Sequence, residues 1–288
     1  MTGYEKGMVI HMFKTRLLSG IVLVIIALVT IITGGPVLWA VVFALALIAF
    51  RELSKAGGIH SEGKSWNALE VAGMFVTTAY YALVYRGGVE IQEYYVYVIF
   101  MVLLALMTFM FVYVFSFPKF KANQIMAAVF SFVYAPVMLS FIYLTRSLEL
   151  GNYIVWMIFI SAWGCDTCAY CVGMLIGKHK LAPILSPKKS IEGAIGGVVG
   201  AAALGAIYGY FVVEKVMPDM NVALSFAVIG GVGAVISQVG DLAASGIKRD
   251  NEIKDYGKLI PGHGGIMDRF DSVIFTAPII YFLALVLL

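Results

Sequence analysis

Long apolar runs alternate with short polar connectors along almost the whole chain, and the spacing of the breaks predicts membrane-crossing helices. Runs of roughly 17–25 apolar residues are long enough to traverse the hydrocarbon layer of a bilayer. Nine can be marked, at about 17–33, 36–50, 68–85, 94–117, 125–145, 152–176, 191–213, 221–240 and 270–288. The second is short and its ends are the least defined. The expected fold is all-α: a polytopic membrane protein of about nine transmembrane helices.

Composition supports this reading. Hydrophobic residues make up 61% of the 288 and charged residues 13%, and the mean hydropathy is +0.93. A soluble domain has far more charge to spread over its surface. Lys14 and Arg16 precede the first run as they would in a signal peptide, but no small-residue cleavage site follows and eight more runs do, so the span is expected to be retained. Residues 1–11, with Met8 and Met12 as alternative starts, read as a leader or an amphipathic lead-in.

The distribution of cations orients the spans, because cytoplasmic loops collect Lys and Arg. With a cytoplasmic N-terminus, the cytoplasmic side holds Lys6, Lys14, Arg16, Arg51, Lys55, Lys64, Lys119, Lys121, Lys178, Lys180, Lys188, Lys189, Lys248, Arg249, Lys254, Lys258 and Arg269, and the other side only Arg86, Arg146 and Lys215. The net charge of +3 is thus mostly topology and no sign of nucleic-acid binding. Cys165, Cys168 and Cys171 share one span at i, i+3, i+6. With no fourth cysteine, they read as small residues packing in a helix rather than metal ligands or a disulfide framework.

The connectors 51–67, 86–93, 118–124, 146–150 and 214–220 carry ordinary charges and read as solvated linkage. Two cytoplasmic loops, 177–190 and 241–269, differ, and both lie in a C-terminal region, 151–288, that is set apart from the five generic spans of 1–150. The first loop places Ser186, Lys188, Lys189 and Ser190 just before a helix, and Gly193, Gly196 and Gly197 follow, where a backbone or ligand can come close. A helix N-terminus with two cations suits phosphate. A positively charged topological loop with Ser190 as a helix cap and Glu192 in the first turn explains the same residues.

Residues 241–271 hold five Lys or Arg and six Asp or Glu, a dense and balanced charge unlike a plain basic anchor. Asp241, Asp268 and Asp271 are hard oxygen donors of the kind Mg2+ uses beside phosphate oxygens. Lys248, Arg249 and Arg269 can neutralise phosphate, and Gly262, Gly264 and Gly265 let backbone N–H groups approach it. A last helix starting near Met267 puts Asp268 and Asp271 on one face. Taken singly, either acid is equally a helix-start carboxylate, His263 is equally a loop hydrogen-bonder, and Asp250, Glu252 and Asp255 look solvated. Asp166 is the only acid well inside a predicted span, a costly place unless it faces a cavity or a partner.

The stretch "SGIKRDNEIKDYGKLIPGHGGIMDRFD", residues 245–271, resembles the signature of the phosphatidate cytidylyltransferases, also called CDP-diacylglycerol synthases. "CDTCAYCVGMLIGKHKLAPILSPKKSIEGAIGG", residues 165–197, is similar to a second block of that family. The resemblance implies a multi-pass enzyme of the bacterial inner membrane, with its active site facing the cytoplasm. Such an enzyme joins CTP to phosphatidic acid, releases pyrophosphate and forms CDP-diacylglycerol. It further implies Mg2+ as cofactor, with K+ as an optional companion, and a homodimer. On these terms Asp241 and Asp268 are the expected metal ligands, with Asp271 and Asp166 beside them. Lys248, Arg249 and Arg269 hold the triphosphate, with His263, Gly264 and Gly265 in the substrate site. Ser186, Lys188, Lys189 and Ser190 complete the phosphate cradle or take the lipid phosphate.

Rival readings remain on the residues alone. A CTP-dependent lipid kinase shares the nucleotide but needs a base for a lipid hydroxyl. A prenyl-transfer enzyme usually carries two carboxylate-rich motifs, and only 268–271 is found here. A secondary transporter fits poorly with charge gathered at one face.

Overall fold

The computed structural model describes residues 3–60, 66–86, 91–218 and 221–288. The readings of residues 1–11 and of the side chains of Lys6, Lys14, Arg16 and Lys64 lie outside what is described. Eight helices among the described residues are long and apolar enough to cross a membrane, and the described apolar part of α1 (Gly3–Thr33), Leu18–Thr33, is a shorter ninth. The chain is an all-α, membrane-embedded protein, as its hydropathy predicts. It divides into two compact units: residues 1–132 with 253–269, and residues 133–252 with 270–288.

The first unit holds α1, α2 (Gly35–Ala56), α3 (Ala68–Arg86), α4 (Ile91–Phe115) and α5 (Ala122–Phe132). α2 is longer than its apolar run, because Glu52, Leu53 and Ser54 beyond Arg51 are buried and continue the helix. α2 packs on α3 where Gly73 leaves room for the buried Phe50 ring, and the Trp39 indole donates to the Tyr81 carbonyl at 2.9 Å. The connector after α2 is more ordered than a solvated link. The Asn67 side chain accepts from the Glu70 N–H (3.0 Å) and Glu70 accepts from the Asn67 N–H (3.1 Å), a reciprocal cap on α3. His60 closes on the same Glu70 at 2.8 Å.

The second unit is built from α6 (Met138–Arg146), α7 (Gly151–Phe159), α8 (Cys165–Ile176), α9 (Ile191–Tyr208), α10 (Val222–Asp250) and most of α11 (Met267–Leu287). Two spans contain a π-turn in mid-course, Val133–Val137 ahead of α6 and Ile160–Gly164 between α7 and α8, and a third, Gly209–Val213, follows α9. Pro136 accounts for the first, since proline has no N–H for the ladder. A short antiparallel hairpin, β1 (Lys180–Ala182) and β2 (Ser186–Ser190), joins α8 to α9.

α8 and α9 meet along small residues. A Cβ on Gly193 would stand 2.8 Å from the Ala169 carbonyl oxygen, and one on Gly197 2.9 Å from the Cys165 sulfur. The close approach these glycines allow is therefore that of a neighbouring helix, as in membrane proteins generally. Two of the cysteines belong to the same seam: Cys165 is buried beneath Gly197 and Cys168 faces Gly200, whereas Cys171 is exposed, and all three are free thiols. Gly197→Val is expected to lower stability by about 1–3 kcal/mol through overpacking. Gly231→Ala, whose Cβ would meet Ala202 at an ordinary 3.5 Å, should be tolerated. Thermal unfolding in detergent compares the two, and equal melting points would refute the seam.

Candidate functional site

α10 does not stop where its apolar run ends. It continues as one helix through Asp250, so Asp241, Lys248 and Arg249 stand on a rigid rod and not in a loop as their charge had suggested. Alanines 243 and 244 favour the helix, Lys248 and Arg249 complement the dipole of its last turn, and Asn251 closes it by donating its side-chain amide to the Ile247 carbonyl at 2.9 Å. Asp241 and Lys248, seven residues apart, lie on one face about 10 Å apart along the axis.

The predicted "SPKKS" loop is strand β2, paired through Lys180 with Ser190 and through Ala182 with Ser186. Ser190 ends the strand and caps α9 by accepting from the Gly193 N–H at 3.2 Å. Glu192 fastens the base of the hairpin: its carboxylate accepts from the Lys178 and His179 N–H groups and meets His179 Nδ1 at 2.6 Å. With the base fixed, β2 carries Lys189 to α10, where its ammonium forms an ion pair with Asp241. Fifty-two residues of sequence separate these partners, and the expectation that the hairpin reaches the acidic segment is met.

Around this pair lies a cavity of about 400 Å³ with a mixed lining. Asp166, Lys188, Lys189, Ser190, Gln238 and Asp241 are its polar residues, and Ala169, Tyr170, Gly173, Met174 and Leu181 are apolar or small. Asp166 follows directly on the Ile160–Gly164 π-turn and is exposed to this space, which resolves the cost of placing an acid inside a span. Asp271 is within electrostatic reach of Asp241, Lys248 and Asp166. Gly240 makes that approach possible, since a Cβ there would stand 2.9 Å from the Asp271 carbonyl oxygen. Ser186 opens β2 opposite Ala182 and does not line the cavity. Arg249 is exposed.

The remaining predicted residues belong to the first unit, where carboxylates organise a tight loop. Ile260 and Gly264 form an isolated bridge, His263 N–H donates to the Ile260 carbonyl at 2.9 Å, and Gly262 and Gly264 take φ of 77° and 88°, which side chains rarely adopt. Asp268 is 8% exposed, and its Oδ2 accepts from the Tyr256 (2.8 Å) and Gly265 (2.9 Å) N–H groups. The next two N–H groups, of Ile266 and Met267, donate to Glu52 at 3.1 and 2.9 Å. The positive end of α11 is thus already occupied by two carboxylates, and of the three glycines expected to bring N–H groups to phosphate, Gly265 gives its own to Asp268. His263 Nδ1 sits 2.7 Å from Ser19 Oγ, and Arg269 Nε donates to the His263 carbonyl at 3.1 Å. Beside this loop a recess of about 510 Å³ is lined by Lys254, Asp255, Lys258, His263 and Arg269.

Sequence reasoning missed Glu52 and Gln238. Glu52 stood beside Arg51 in what looked like an ordinary connector, and only its position at the end of an apolar run hinted at burial. Gln238, inside an apolar run, spans the seam by donating to the Ala194 carbonyl at 3.0 Å. Asp268 and Asp271 are one turn apart on α11, as expected from a helix start at Met267.

Among the described residues no three His, Cys, Asp or Glu side chains could by themselves hold a metal ion. Mg2+ asks for less: one or two carboxylates, with water and phosphate oxygens completing the shell. Asp241 and Asp166, which line the same cavity, are donors of that kind, and the lysine ammonium drawn onto Asp241 marks a position that already favours a cation.

The profile of the cytidylyltransferase family matches residues 14–287. The chain is 35% identical over 275 residues to the phosphatidate cytidylyltransferase of Staphylococcus aureus (strain COL), covering 93% of this chain and 97% of that protein. It is 32% identical over 276 residues to the one of Staphylococcus haemolyticus (strain JCSC1435), with the same coverage. A match spanning nearly the whole chain places this protein in the cytidylyltransferase family.

Proposed function

We propose that this enzyme transfers the cytidylyl group of CTP to phosphatidic acid, giving CDP-diacylglycerol and pyrophosphate. The observation that carries the reading is the cavity beside Asp241, whose lining combines cations and acids with apolar side chains, as a reaction between a soluble nucleotide and a membrane lipid requires. Tyr170 and Met174, 66% and 65% exposed on the outer face of α8, give the lipid an apolar approach.

A phosphate monoester has its second ionisation near ~6, so the lipid phosphate is already a nucleophile at neutral pH. Its oxygen bonds to the α-phosphorus of CTP, the bond from that phosphorus to the α–β bridging oxygen breaks, and pyrophosphate leaves with the electron pair. No protein base is needed, and the residues' work is to bring anions together. Lys188, Lys189 and Ser190 receive phosphate oxygens at the cavity mouth, and Lys248 adds charge two turns along α10. Arg269, Lys254 and Lys258 offer a second group of cations in the first unit's recess. Asp241 and Asp166 would hold Mg2+, with Asp271 in reach, and a divalent ion there supplies neutralisation of the triphosphate. Asp268 shapes the 256–268 loop, a duty its two backbone bonds support better than direct metal ligation. The protein acts in a bacterial cell membrane with this site on the cytoplasmic side, which the bacterial relatives and the lopsided distribution of Lys and Arg support; the homodimer rests on the family resemblance alone.

The test is product analysis with purified full-length protein, labelled CTP and phosphatidic acid. CDP-lipid and pyrophosphate are expected, lost on chelation of divalent ions. Lipid phosphate and CDP made from a lipid alcohol would indicate a kinase, which needs a base; of the two candidates, Asp268 accepts from two backbone N–H groups and His263 pairs with Ser19. Direct displacement further predicts inversion at the α-phosphorus and no exchange of labelled pyrophosphate into CTP without lipid. Lipid-free exchange would require a covalent cytidylyl-enzyme and would overturn the single-step route.

A further inference from the structure

The ion pair between Lys189 and Asp241 has an unusual quality. The Lys189 ammonium nitrogen is sealed from solvent and makes no well-formed hydrogen bond, although an ammonium carries three donors. It meets Asp241 as an ion pair. A buried cation with unsatisfied donors gains by moving to an oxygen-rich partner. Asp241, with Asp166 lining the same cavity and Asp271 in electrostatic reach, gains by exchanging a single positive charge for a double one. The hairpin that carries Lys189 is tied at its base by Glu192, while at its tip Ile184 is 86% accessible and Leu185 half-buried near Gly246, so a small shift of β2 disturbs few contacts.

We propose that Lys189 is an exchangeable counter-ion: it neutralises Asp241 in the ligand-free enzyme and yields that carboxylate to the divalent cation when nucleotide phosphate arrives to take the lysine. The inference rests on the nucleotidyl transfer proposed above and adds how its ligands are coupled. Metal alone has to displace the lysine, and nucleotide alone has to pull it from Asp241. Each therefore assists the other, and by linkage the assistance is mutual. The site avoids holding either ligand in an unproductive half-loaded state.

The experiment is Mn2+ binding to the full-length protein in detergent, read from the electron paramagnetic resonance of free Mn2+ with no nucleotide present. Lys189→Gln is expected to bind Mn2+ at least about tenfold more tightly than wild type, because the competing charge is gone. At saturating metal, its KM for CTP should rise by about tenfold, because a phosphate loses its partner. Opposite signs for the two ligands are what a purely structural role would not give. Lys188→Gln, next to it but exposed, should leave Mn2+ affinity near wild type; equal tightening in both variants would reduce the effect to general surface potential and overturn the exchange. Asp241→Asn separates the premises. If it leaves Mn2+ binding unchanged, the metal assignment itself fails. If it weakens binding while Lys189→Gln matches wild type, the exchange alone is wrong.

Discussion

Asp241→Asn is expected to lower the rate of CDP-lipid formation by about two to three orders of magnitude, the scale on which pre-set charge stabilisation acts in enzymes, while leaving the protein folded. Three features of the position argue for both halves of that result. The Asp241 side chain is 27% exposed, so its loss opens no core cavity. It stands mid-helix with its backbone bonds made inside α10. It is also the residue on which the hairpin lysine converges, and the electrostatic neighbours of Asp271 include it. Asp250→Asn, nine residues further along the same helix and exposed, is the matched control and should keep full turnover. Activity and melting temperature measured on the same preparations decide the matter. A variant at Asp241 with more than a tenth of wild-type turnover would remove it from the reaction.

The largest effect on stability is expected at Glu52, a residue outside the signature. Glu52→Leu leaves the Ile266 and Met267 N–H groups buried without acceptors, at about 1–3 kcal/mol each. The total is a large fraction of the ~5–15 kcal/mol by which proteins of this kind stay folded. Nothing nearby can substitute. Gly257 and Gly265 lack the side chains that would otherwise overlap the Glu52 carboxylate, so the space is shaped for that group. Glu52→Gln keeps one acceptor and should fall between wild type and Glu52→Leu. Limited proteolysis of the 253–269 segment, followed beside the melting curve, reports where the damage lies. If Glu52→Leu cleaves and melts like the parent, the two bonds contribute nothing.

The difference between these residues marks how far the sequence could be read. Apolar runs are set by the thickness of the bilayer, so the spans, and the helix start that puts Asp268 and Asp271 one turn apart, followed directly from hydropathy. The approach of Lys189 to the acidic segment was legible because phosphate chemistry needs both signs of charge in one place. Hydropathy fails where a polar residue is buried by a distant partner. Glu52 reads as a connector charge until the Ile266 and Met267 N–H groups, more than two hundred residues later, come to it. Dense charge likewise hid the extension of α10, since Lys248 and Arg249 look like loop residues until the helix dipole is counted. Glycines 193 and 197 were ambiguous on principle: a missing side chain admits a ligand or a helix equally well, and only the position of α8 decides.

The π-turn at Ile160–Gly164 bears on how this chain can change over time. Each residue advances an α-helix by about 100°, and a π-turn accommodates one residue more than the α-helical ladder would. Removing that extra residue lets the ladder close as ordinary α-helix, whereas adding a further one would swing all of α8, turning Asp166 away from the cavity and Cys165 out from under Gly197 in one step. That segment therefore has no room for a second insertion, and its fully buried Ser161 and Ala162 restrict substitution as well. In that span the quantity limited from above is a count.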